Sequence, residues 1–338
     1  MGTSLVTGAT GFLGSHIVDR LTERGETVRA LVRDSSDTSH LESKGVDLAI
    51  GDITIPLTVG AAMRGVDTVY HAAATVTDWA PWKDFQSVTV DGTQNVFSAA
   101  VTAEAKRVVH VSSDAVYALS ALKRTITEDS PLEKRFGWLD YYRKSKSLAE
   151  RTARRFMQGG NVEASILRPG LLLGERDRAI FPGTVAFLKS GSATYIGSGR
   201  NRLPYVYAGD VAEACVLAGT TDAAAGQIYN IASDETVTQR DVFDTIAEAT
   251  GLRPPKRSMP TRLVYTLALA LEAISLATGR RGRPALTRYG INILALGYEE
   301  DISKAKRELG WEPKVPLRDA IQRTIEWRES HRPITAGS

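Results

Sequence analysis

The sequence predicts an α/β fold: a doubly wound parallel sheet with a second, smaller lobe that is discontinuous in the chain. Three observations predict this fold class. Short β-rich apolar runs alternate with segments of helical period as far as Arg168, and a glycine-rich turn at 8–14 follows the first run. Glycine-rich and proline-rich connections at 197–199 and 253–260 then break the rhythm. Strands and helices that alternate at this spacing form right-handed βαβ units, and hence a parallel sheet.

The expected elements follow in chain order. Strands are predicted at Thr3–Thr7, Thr27–Val32, Asp47–Ile50, 68–71, 107–112 and 163–167, with helices at 15–24 and 90–102 among the intervening segments. Residues 205–216 and 227–231 indicate a helix approach and a strand that return to the main sheet. We therefore expect the sheet domain at 1–175 and 206–240, the smaller lobe at 176–205 and 241–330, and a tail at 331–338.

Length, charge and cysteine content exclude several classes of protein. A usual domain has roughly 100 to 200 residues, so 338 residues fit one large or two coupled domains. A net charge of +3, from 42 Lys and Arg against 39 Asp and Glu, gives no support for nucleic-acid binding. Cys215 is the only cysteine and the histidines lack ligand spacing, so neither a disulfide nor a metal site is expected. The first residues lack a signal-peptide pattern, and Val6 breaks a myristoylation pattern, so we expect a cytoplasmic location.

Residues 8–14, Gly-Ala-Thr-Gly-Phe-Leu-Gly, lie between the first expected strand and the first expected helix. Glycines there allow the backbone to turn sharply and approach a pyrophosphate, whose charge interacts with free N–H groups and the helix dipole. A glycine trio alone is weak evidence, but the flanking strand and helix strengthen it. We therefore predict a dinucleotide site that contains Gly8, Thr10, Gly11, Phe12, Leu13 and Gly14.

The end of the second strand bears on the choice of cofactor. An acidic residue about 20 positions after the loop would bind the ribose diol of NAD, whereas an arginine would accommodate the 2′-phosphate of NADP. Val32 cannot chelate a diol, and the Arg33 that follows it can pair with a phosphate through a charge-assisted fork. We therefore expect NADP(H). Asp34 could turn toward a diol, so NAD(H) is the alternative. The simplest interpretation of Arg33 itself is a solvated arginine at the end of a strand.

Three side chains form a candidate catalytic group. Ser113 follows the fifth strand, and Tyr142 and Lys146 share one face of a later helix because they are four residues apart. A tyrosine has a reference pKa of about 10, and we expect a neighbouring ammonium and an oxidised nicotinamide ring to favour its phenolate. Ser113 would hydrogen-bond the substrate oxygen, Tyr142 would transfer the proton, and Lys146 would bond the nicotinamide ribose. Tyr141 is the rival acid, but Ser145 at its i+4 position carries no charge.

The spacing Gly-x-x-Gly-x-x-Gly, the serine pair and the Tyr-x-x-x-Lys motif together resemble the extended short-chain dehydrogenase/reductases, of the NAD-dependent epimerase/dehydratase superfamily. The resemblance covers nearly the whole chain and is closest to the 3β-hydroxysteroid dehydrogenase and sterol-4-carboxylate 3-dehydrogenase group. It implies a Rossmann fold, a homodimer, and cofactor contacts in three more turns. These contacts are Asp52 and Ile53 after the third strand, Ala72, Ala73 and Ala74 after the fourth, and Pro169, Gly170 and Leu171 after the sixth.

Two further segments carry the resemblance, and one residue departs from it. Residues 203–211 are similar to the family's strand and helix start beside the substrate cleft, and 301–313 to its carboxy-terminal signature. Thr89 stands where this branch usually has asparagine, which weakens any transfer of that helix's contacts. His71, before the alanine bend, is interpreted as a buried strand-end histidine rather than a base.

A strongly apolar segment indicates the kind of substrate. Residues 263–278 contain 12 apolar residues in 16 and precede the basic run 279–283. A membrane span needs roughly 20 residues, and Glu272 would be costly in lipid, so we expect no transmembrane helix. We favour core packing, then a lid over a hydrophobic substrate, and last a peripheral contact of its basic edge with a membrane.

The sequence also offers candidate substrate contacts. Trp79 and Trp82 lie in the loop after the alanine bend, where loops after parallel strands meet the ligand crevice. Ser113 and Tyr205 are the other two candidates, while Arg200 and Arg202 could bind a phosphate of a rival substrate. The expected activity is an NAD(P)-dependent oxidoreductase that interconverts a hydroxyl and a ketone on a 3β-hydroxysteroid or a long-chain β-keto or β-hydroxy acid. The alternatives are a nucleotide-sugar 4-epimerase or dehydratase and a nonenzymatic dinucleotide sensor, against which Tyr142 and Lys146 argue.

Overall fold

The computed structural model describes residues 2–122, 125–279 and 282–331. The strands are β1 Thr3–Thr7, β2 Thr27–Val32, β3 Asp47–Ile50, β4 Val66–His71, β5 Arg107–Val111, β6 Thr125–Ile126, β7 Glu163–Pro169, β8 Leu171–Leu173, β9 Tyr195–Ile196, β10 Arg202–Leu203, β11 Tyr205–Tyr207, β12 Ile228–Ile231, β13 Val237–Thr238, β14 Ser258–Met259 and β15 Glu299–Glu300. The helices are α1 Phe12–Glu23, α2 Ser39–Ser43, α3 Pro56–Ala62, α4 Trp82–Asp84, α5 Gly92–Thr102, α6 Tyr141–Gln158, α7 Ile180–Lys189, α8 Ala208–Thr220, α9 Gln239–Ala249, α10 Thr261–Ala277, α11 Arg288–Ala295, α12 Ser303–Leu309 and α13 Leu317–Ser330. A π-helical segment, Phe85–Asp91, joins α4 to α5.

Seven strands form one parallel sheet in the order β3-β2-β1-β4-β5-β7-β12. The order reverses at β1, with β2 on one side and β4 on the other, which makes a crevice at the carboxyl ends of these strands. Thr7 at the end of β1 pairs with Leu31 and His71, so the turns that follow these strands start side by side. The predicted fold class, a doubly wound parallel sheet of the Rossmann type, is confirmed.

Apolar helix faces cover both sides of the sheet. On one side α1, α8 and α12 pack against the strands through buried side chains such as Ile17, Val211 and Leu309. On the other side α3, α5 and α6 do so through side chains such as Val59, Phe97 and Ala153. The strands are apolar on both faces because both are buried, as a parallel sheet requires.

A third apolar cluster lies beyond the main sheet. It joins α7, α9 and α13 to the short strands β8, β10, β11 and β13, through residues such as Phe181, Phe243 and Ile321. The return of 205–216 and 227–231 toward the sheet agrees with the observed α8 and β12, since β12 pairs with β7. The division of the chain at 175, 205 and 240 stays a prediction.

Helix α10 differs from the expectation that core packing dominates it. Val264, Ala268, Glu272 and Ser275 are buried, but large apolar side chains on the other faces are exposed. The exposed set is Leu263, Leu267, Leu269, Ile274 and Leu276. Residues 280 and 281 of the adjoining basic run lie outside the described residues, and so do residues 332–338 of the predicted tail. Nowhere in the described ranges is a helix long and apolar enough to cross a membrane.

Candidate active site

The glycine turn after β1 has the shape that a pyrophosphate site needs. Gly8 has φ +73°, and a side chain there would lie 2.8 Å from the Ala73 backbone nitrogen. A Cβ on Gly14 would lie 2.0 Å from the Gly8 carbonyl oxygen, so α1 packs directly on the turn. Helix α1 begins after Gly11. Because glycine has no side chain, this residue does not cap the first N–H groups of the helix. The turn and the helix end together make a cradle that fits a diphosphate.

The alanine bend after β4 is tied to this turn. Ala72 N–H donates to the Thr7 carbonyl at 3.2 Å. His71 is buried between two hydroxyl groups, with ring-nitrogen distances of 2.8 Å to Thr7 Oγ1 and 3.0 Å to Thr93 Oγ1. Burial lowers the pKa of His71 to about 3, so it is a neutral structural group, as the sequence indicated. The Thr89 hydroxyl also stabilises the chain after this bend, because it accepts a hydrogen bond from Thr75 N–H at 2.9 Å.

The adenine end of the crevice contains the other expected cofactor contacts. Arg33 and Asp34 follow β2 and are exposed, so either can reach a ligand from solvent. Asp52 is partly exposed after β3 and accepts a hydrogen bond from Thr54 N–H at 2.8 Å. Ile53 is buried against Gly92, where a Cβ would lie 2.8 Å from the Ile53 side chain. These contacts fix the turn after β3 against α5.

The candidate catalytic side chains meet at the carboxyl end of β5. The Ser113 hydroxyl lies near enough to the Tyr142 hydroxyl to lower its pKa, and Ser113 Oγ accepts a hydrogen bond from Ala115 N–H at 3.1 Å. The Lys146 ammonium donates to the Val111 carbonyl at 3.1 Å, just before the serine pair. Helix α6 therefore presents Tyr142 and Lys146 to the strand end that carries Ser113, as their spacing predicted.

The acidities of these groups have clear physical causes. Burial of its hydroxyl group raises the pKa of Tyr142 to about 12, and the nearby Ser113 hydroxyl offsets this only in part. The expectation that the neighbouring ammonium and an oxidised nicotinamide ring together favour the phenolate stays a prediction. Burial also lowers the pKa of Lys146 to about 8, although the negative charge of Glu150 opposes the shift.

A buried ion pair that the sequence did not reveal braces this arrangement. Arg168 is fully buried and donates to both carboxylate oxygens of Glu150, at 2.6 and 3.0 Å. Glu150 also accepts a hydrogen bond from Ser112 Oγ at 2.6 Å. Since Glu150 lies one turn after Lys146 on α6, the pair locks that helix to β5 and β7. Arg168 directly precedes the expected cofactor contacts at Pro169, Gly170 and Leu171. Those contacts indicated a role for the backbone, not for the arginine side chain.

The segment after β7 holds the last expected cofactor contacts. Pro169 ends the strand, and Gly170 N–H donates to the Ile231 carbonyl at 3.1 Å. A Cβ on Gly170 would lie 2.0 Å from the Pro204 carbonyl oxygen, so only glycine fits between these backbones. Leu171 N–H donates to the same Pro204 oxygen at 2.7 Å. The backbone of this segment is therefore rigidly held.

The structure distinguishes the two adjacent tyrosines. The ring of Tyr141 packs 5.6 Å from the centroid of Trp82 and 6.3 Å from that of Phe85. Tyr141 is thus an apolar packing residue, whereas the hydroxyl of Tyr142 lies near that of Ser113. The Lys144 ammonium lies over the Trp82 ring, with Nζ 4.1 Å from the ring centroid.

The candidate substrate contacts separate into different environments. Tyr205 is 1% exposed and donates to the Val315 carbonyl at 3.1 Å, so it is a core residue and the prediction that it contacts substrate is corrected. Trp82 packs against Tyr141 and Lys144 of α6, and both Trp82 and Trp79 are half-buried. Arg200 is exposed, and Arg202 forms an ion pair with Glu299.

Two contacts join residues 283–289 to the site and to the loop after β4, and neither was predicted. The ring of Tyr289 on α11 lies 5.2 Å from that of Tyr142. Asp78, in the loop after β4, accepts hydrogen bonds from Arg283 at 2.5 and 2.7 Å and from the Thr287 hydroxyl. Both contacts join residues far apart in the chain, so no local pattern indicated them.

A Rossmann sheet with a pyrophosphate cradle at its switch point and a Ser-Tyr-Lys group beside it defines the class of dinucleotide-dependent oxidoreductases. The chain belongs to the NAD dependent epimerase/dehydratase family, and the match to this family covers residues 4–232. It is therefore an enzyme of the extended short-chain dehydrogenase/reductase type.

Known relatives span nearly the whole chain. A 2-alkyl-3-oxoalkanoate reductase of Shewanella oneidensis is 29% identical over 331 residues, which cover 95% of this chain and 84% of that protein. The protein in the crystal structure of gox2253 is 31% identical in sequence. The match covers 98% of this chain and 99% of that one, with a TM-score of 0.80. The structure of MoeE5 in complex with UDP-glucose and NAD is 26% identical, covers 97% and 99%, and has a TM-score of 0.74.

Proposed function

We propose that the enzyme is an NAD(P)H-dependent reductase that interconverts a ketone and a hydroxyl group on a hydrophobic substrate. The observation that carries the proposal is that α6 brings Tyr142 and, one helical turn later, the buried ammonium of Lys146 to the end of β5, which Ser113 follows. This group lies at the same sheet edge as the cradle formed by residues 8–14. The arrangement supports proton transfer at an oxygen held between Ser113 and Tyr142.

The residues of this chain would divide the work as follows. The backbone of 8–14 and the α1 amino terminus would hold the diphosphate, and Lys146 would bond a ribose hydroxyl. A bound nicotinamide would supply the hydride. Ser113 would orient the substrate oxygen by a hydrogen bond. Tyr142 would give that oxygen a proton, and a pKa of about 12 keeps the phenol protonated at neutral pH, as ketone reduction requires.

We propose a long-chain β-keto acid, or the corresponding β-hydroxy acid, as the preferred substrate class, with a 3β-hydroxysteroid second. The similarity to a 2-alkyl-3-oxoalkanoate reductase supports this choice. The ring of Tyr289, whose centroid lies 5.2 Å from that of Tyr142, provides apolar surface at the site. The expected homodimer and peripheral membrane contact stay predictions.

NADP(H) is proposed as the preferred cofactor because Arg33 is exposed at the carboxyl end of β2, beside the glycine turn. A guanidinium there can bind a 2′-phosphate that NAD lacks. Parallel assays of the purified enzyme with NADPH and NADH test this, and NADPH should give the higher kcat/KM.

The Tyr142→Phe variant tests the proposed reductase. It should retain cofactor binding but lose turnover of a β-keto acid by about 10²-fold to 10⁴-fold, because the acid is removed while its ring remains. Tyr141→Phe is the matched control and should keep turnover, since that hydroxyl lies outside the Ser113 contact. Cofactor affinity is measured by fluorescence titration and turnover by loss of NADPH absorbance. Equal turnover of Tyr142→Phe and the wild type would refute the assignment.

A nucleotide-sugar epimerase or dehydratase is the second candidate, favoured by the likeness to MoeE5 in complex with UDP-glucose and NAD. The Arg202–Glu299 ion pair weighs against it, because one of the two candidate phosphate-binding arginines already has a carboxylate partner. An epimerase would show tightly retained cofactor and no net redox change with a nucleotide sugar. A reductase would consume added NADPH with a ketone.

A further inference from the structure

Helix α10 has one buried side and one exposed side. Its buried residues Val264, Ala268, Glu272 and Ser275 recur every three or four positions, as one side of a helix requires. On the opposite side, five large apolar side chains are each 39–54% exposed, namely Leu263, Leu267, Leu269, Ile274 and Leu276. An exposed apolar patch of this kind marks a surface that contacts a partner.

The rest of this exposed side adds small residues and positive charge. The remaining exposed residues of α10 are three alanines, Arg262 and Thr266. The Thr266 hydroxyl already donates to the Leu263 carbonyl at 2.9 Å. The carboxylate of the helix, Glu272, is buried and accepts from the backbone and side chain of Arg288 at 2.8 and 2.6 Å. The exposed side therefore presents apolar surface and a cation, while the negative charge is turned inward and paired.

The chain around α10 is strongly basic. Residues 249–298 include eight lysines and arginines and one acidic residue, Glu272, which gives this stretch a net charge of +7. The whole chain has a net charge of only +3, so positive charge is concentrated here. Lys256 and Arg257 are exposed just before the helix, Arg262 lies in its first turn, and three arginines occur in the sequence at 279–283 after its end. Cations therefore lie at both ends of the exposed apolar side.

Charge and apolar character together favour a lipid surface over another protein. A second copy docked through the same surface would bring two strongly basic stretches together, and like charges oppose such a contact. A protein interface also forms about one hydrogen bond per 100–200 Å², and leucine, isoleucine and alanine side chains cannot form them. An anionic bilayer needs no such bonds, because alkyl side chains enter the headgroup boundary while cations bind the headgroups.

We propose that the exposed side of α10 docks the protein on an anionic lipid surface. The helix lies along that surface, with its five large apolar side chains in the headgroup boundary and Arg262 beside lipid phosphates. Its buried side stays attached to α11 through the Glu272–Arg288 ion pair. Because α11 also carries Tyr289, whose ring packs on Tyr142, only one helix separates the docked surface from the candidate active site. The inference is independent of the reductase function proposed above.

Flotation of the full chain with phospholipid vesicles tests the docking. At about 0.1 M salt, the wild type should bind vesicles with about 30% phosphatidylglycerol at least about tenfold more tightly than vesicles of phosphatidylcholine alone. Raising the salt to about 0.5 M should remove most of this difference, because it screens the cations from the headgroups. Arg262→Gln should weaken binding to the anionic vesicles by about fivefold, since one cation is lost.

The double variant Leu267→Gln/Ile274→Gln tests the apolar side chains. Both residues are about half exposed, so the fold should be kept. Binding to the anionic vesicles should fall at least about tenfold, because two apolar side chains no longer enter the headgroup boundary. Leu57→Gln is the matched control and should bind as the wild type does, since Leu57 is 86% exposed on α3 rather than on α10.

Three outcomes overturn the proposal. One is a wild type that does not float with anionic vesicles, and another is a double variant that binds them as tightly as the wild type. The third is a wild type that binds no vesicles but loses its dimer, by light scattering, in the double variant, which would assign the exposed side of α10 to a second copy.

If the double variant does not fold, a fluorescent label decides. Leu267→Cys and Leu57→Cys are each labelled with the environment-sensitive fluorophore nitrobenzoxadiazole, since the native Cys215 is fully buried. A blue shift of the emission on adding anionic vesicles at position 267, but not at position 57, supports docking through α10. Equal spectral changes at the two positions refute it.

Discussion

Lys146 is a cation whose charge state changes within the range where such an enzyme is assayed. Burial lowers the pKa of this ammonium to about 8, with the charge of Glu150 opposing the shift. Below that pH Lys146 carries a positive charge that stabilises the phenolate formed as Tyr142 gives its proton to the substrate, and the ammonium can bond a ribose hydroxyl. Above it the amine is neutral and both effects are lost.

We therefore expect kcat for ketone reduction to fall as pH rises through about 8. Lys146→Arg should move this fall to higher pH, because a guanidinium does not lose its proton in this range. Lys144→Met is the control and should keep the wild-type profile, since Lys144 lies over the Trp82 ring on another face of α6. A pH profile of kcat for the three proteins is the measurement, and an unmoved fall in Lys146→Arg would contradict the argument.

At the residue scale, local motifs were predictable and long-range contacts were not. The spacing of Tyr142 and Lys146 is a property of one helix, so the sequence alone brought them together. Asp114 meets Tyr298 only through the fold, and no sequence pattern marks that contact. The effect of burial on the pKa of Tyr142 was not predictable for the same reason, because a motif carries no information about burial.

The contact between the first turn and α1 can be tested at the scale of elements. In Gly14→Ala the new Cβ would lie 2.0 Å from the Gly8 carbonyl, so the helix must move away from the turn. Cofactor affinity should fall at least about tenfold, because the cradle loses its shape. Gly60→Ala is the matched control in α3, where nothing lies within 4 Å of the added Cβ.

The two glycine variants should also differ in stability. Gly60→Ala should stabilise the protein by about 0.5–1 kcal/mol, because alanine loses less backbone freedom on folding. Gly14→Ala should destabilise it. Cofactor titration and urea unfolding of both variants measure the two effects. Normal cofactor affinity in Gly14→Ala would show that the turn tolerates the displacement.

The elements themselves were predicted with uneven success. The bounds of β1, β2 and β3 were correct because apolar β-rich runs of this length, closed by turn residues, have few alternatives. Helix α10 was judged a core helix from its composition, yet Leu263 and Ile274 are about half exposed. Composition does not determine which faces of a helix pack against other elements, because that depends on the tertiary fold.

At the scale of the whole molecule, one cluster of hydrogen bonds joins the sheet to the segment above the site. The Asp78 carboxylate in the loop after β4 is mostly buried, and it binds Arg283 and Thr287 just before α11. Helix α11 carries Tyr289, whose ring packs on Tyr142. The position of α11 over the site therefore depends on Asp78.

We expect Asp78→Asn to raise the KM for a hydrophobic ketone by about tenfold, or about 1.4 kcal/mol of binding free energy. The amide keeps the size of the carboxylate but loses the charge that Arg283 binds, so α11 is held less firmly and the apolar wall beside Tyr142 opens more often. Asp234→Asn is the control, because it breaks only the Lys306 ion pair at the surface. Steady-state kinetics of both variants with the same β-keto acid gives the comparison. Equal KM values would mean that α11 is held by its apolar contacts alone, whereas a change confined to Asp78→Asn would make the loop after β4 the element through which the sheet controls closure of the site.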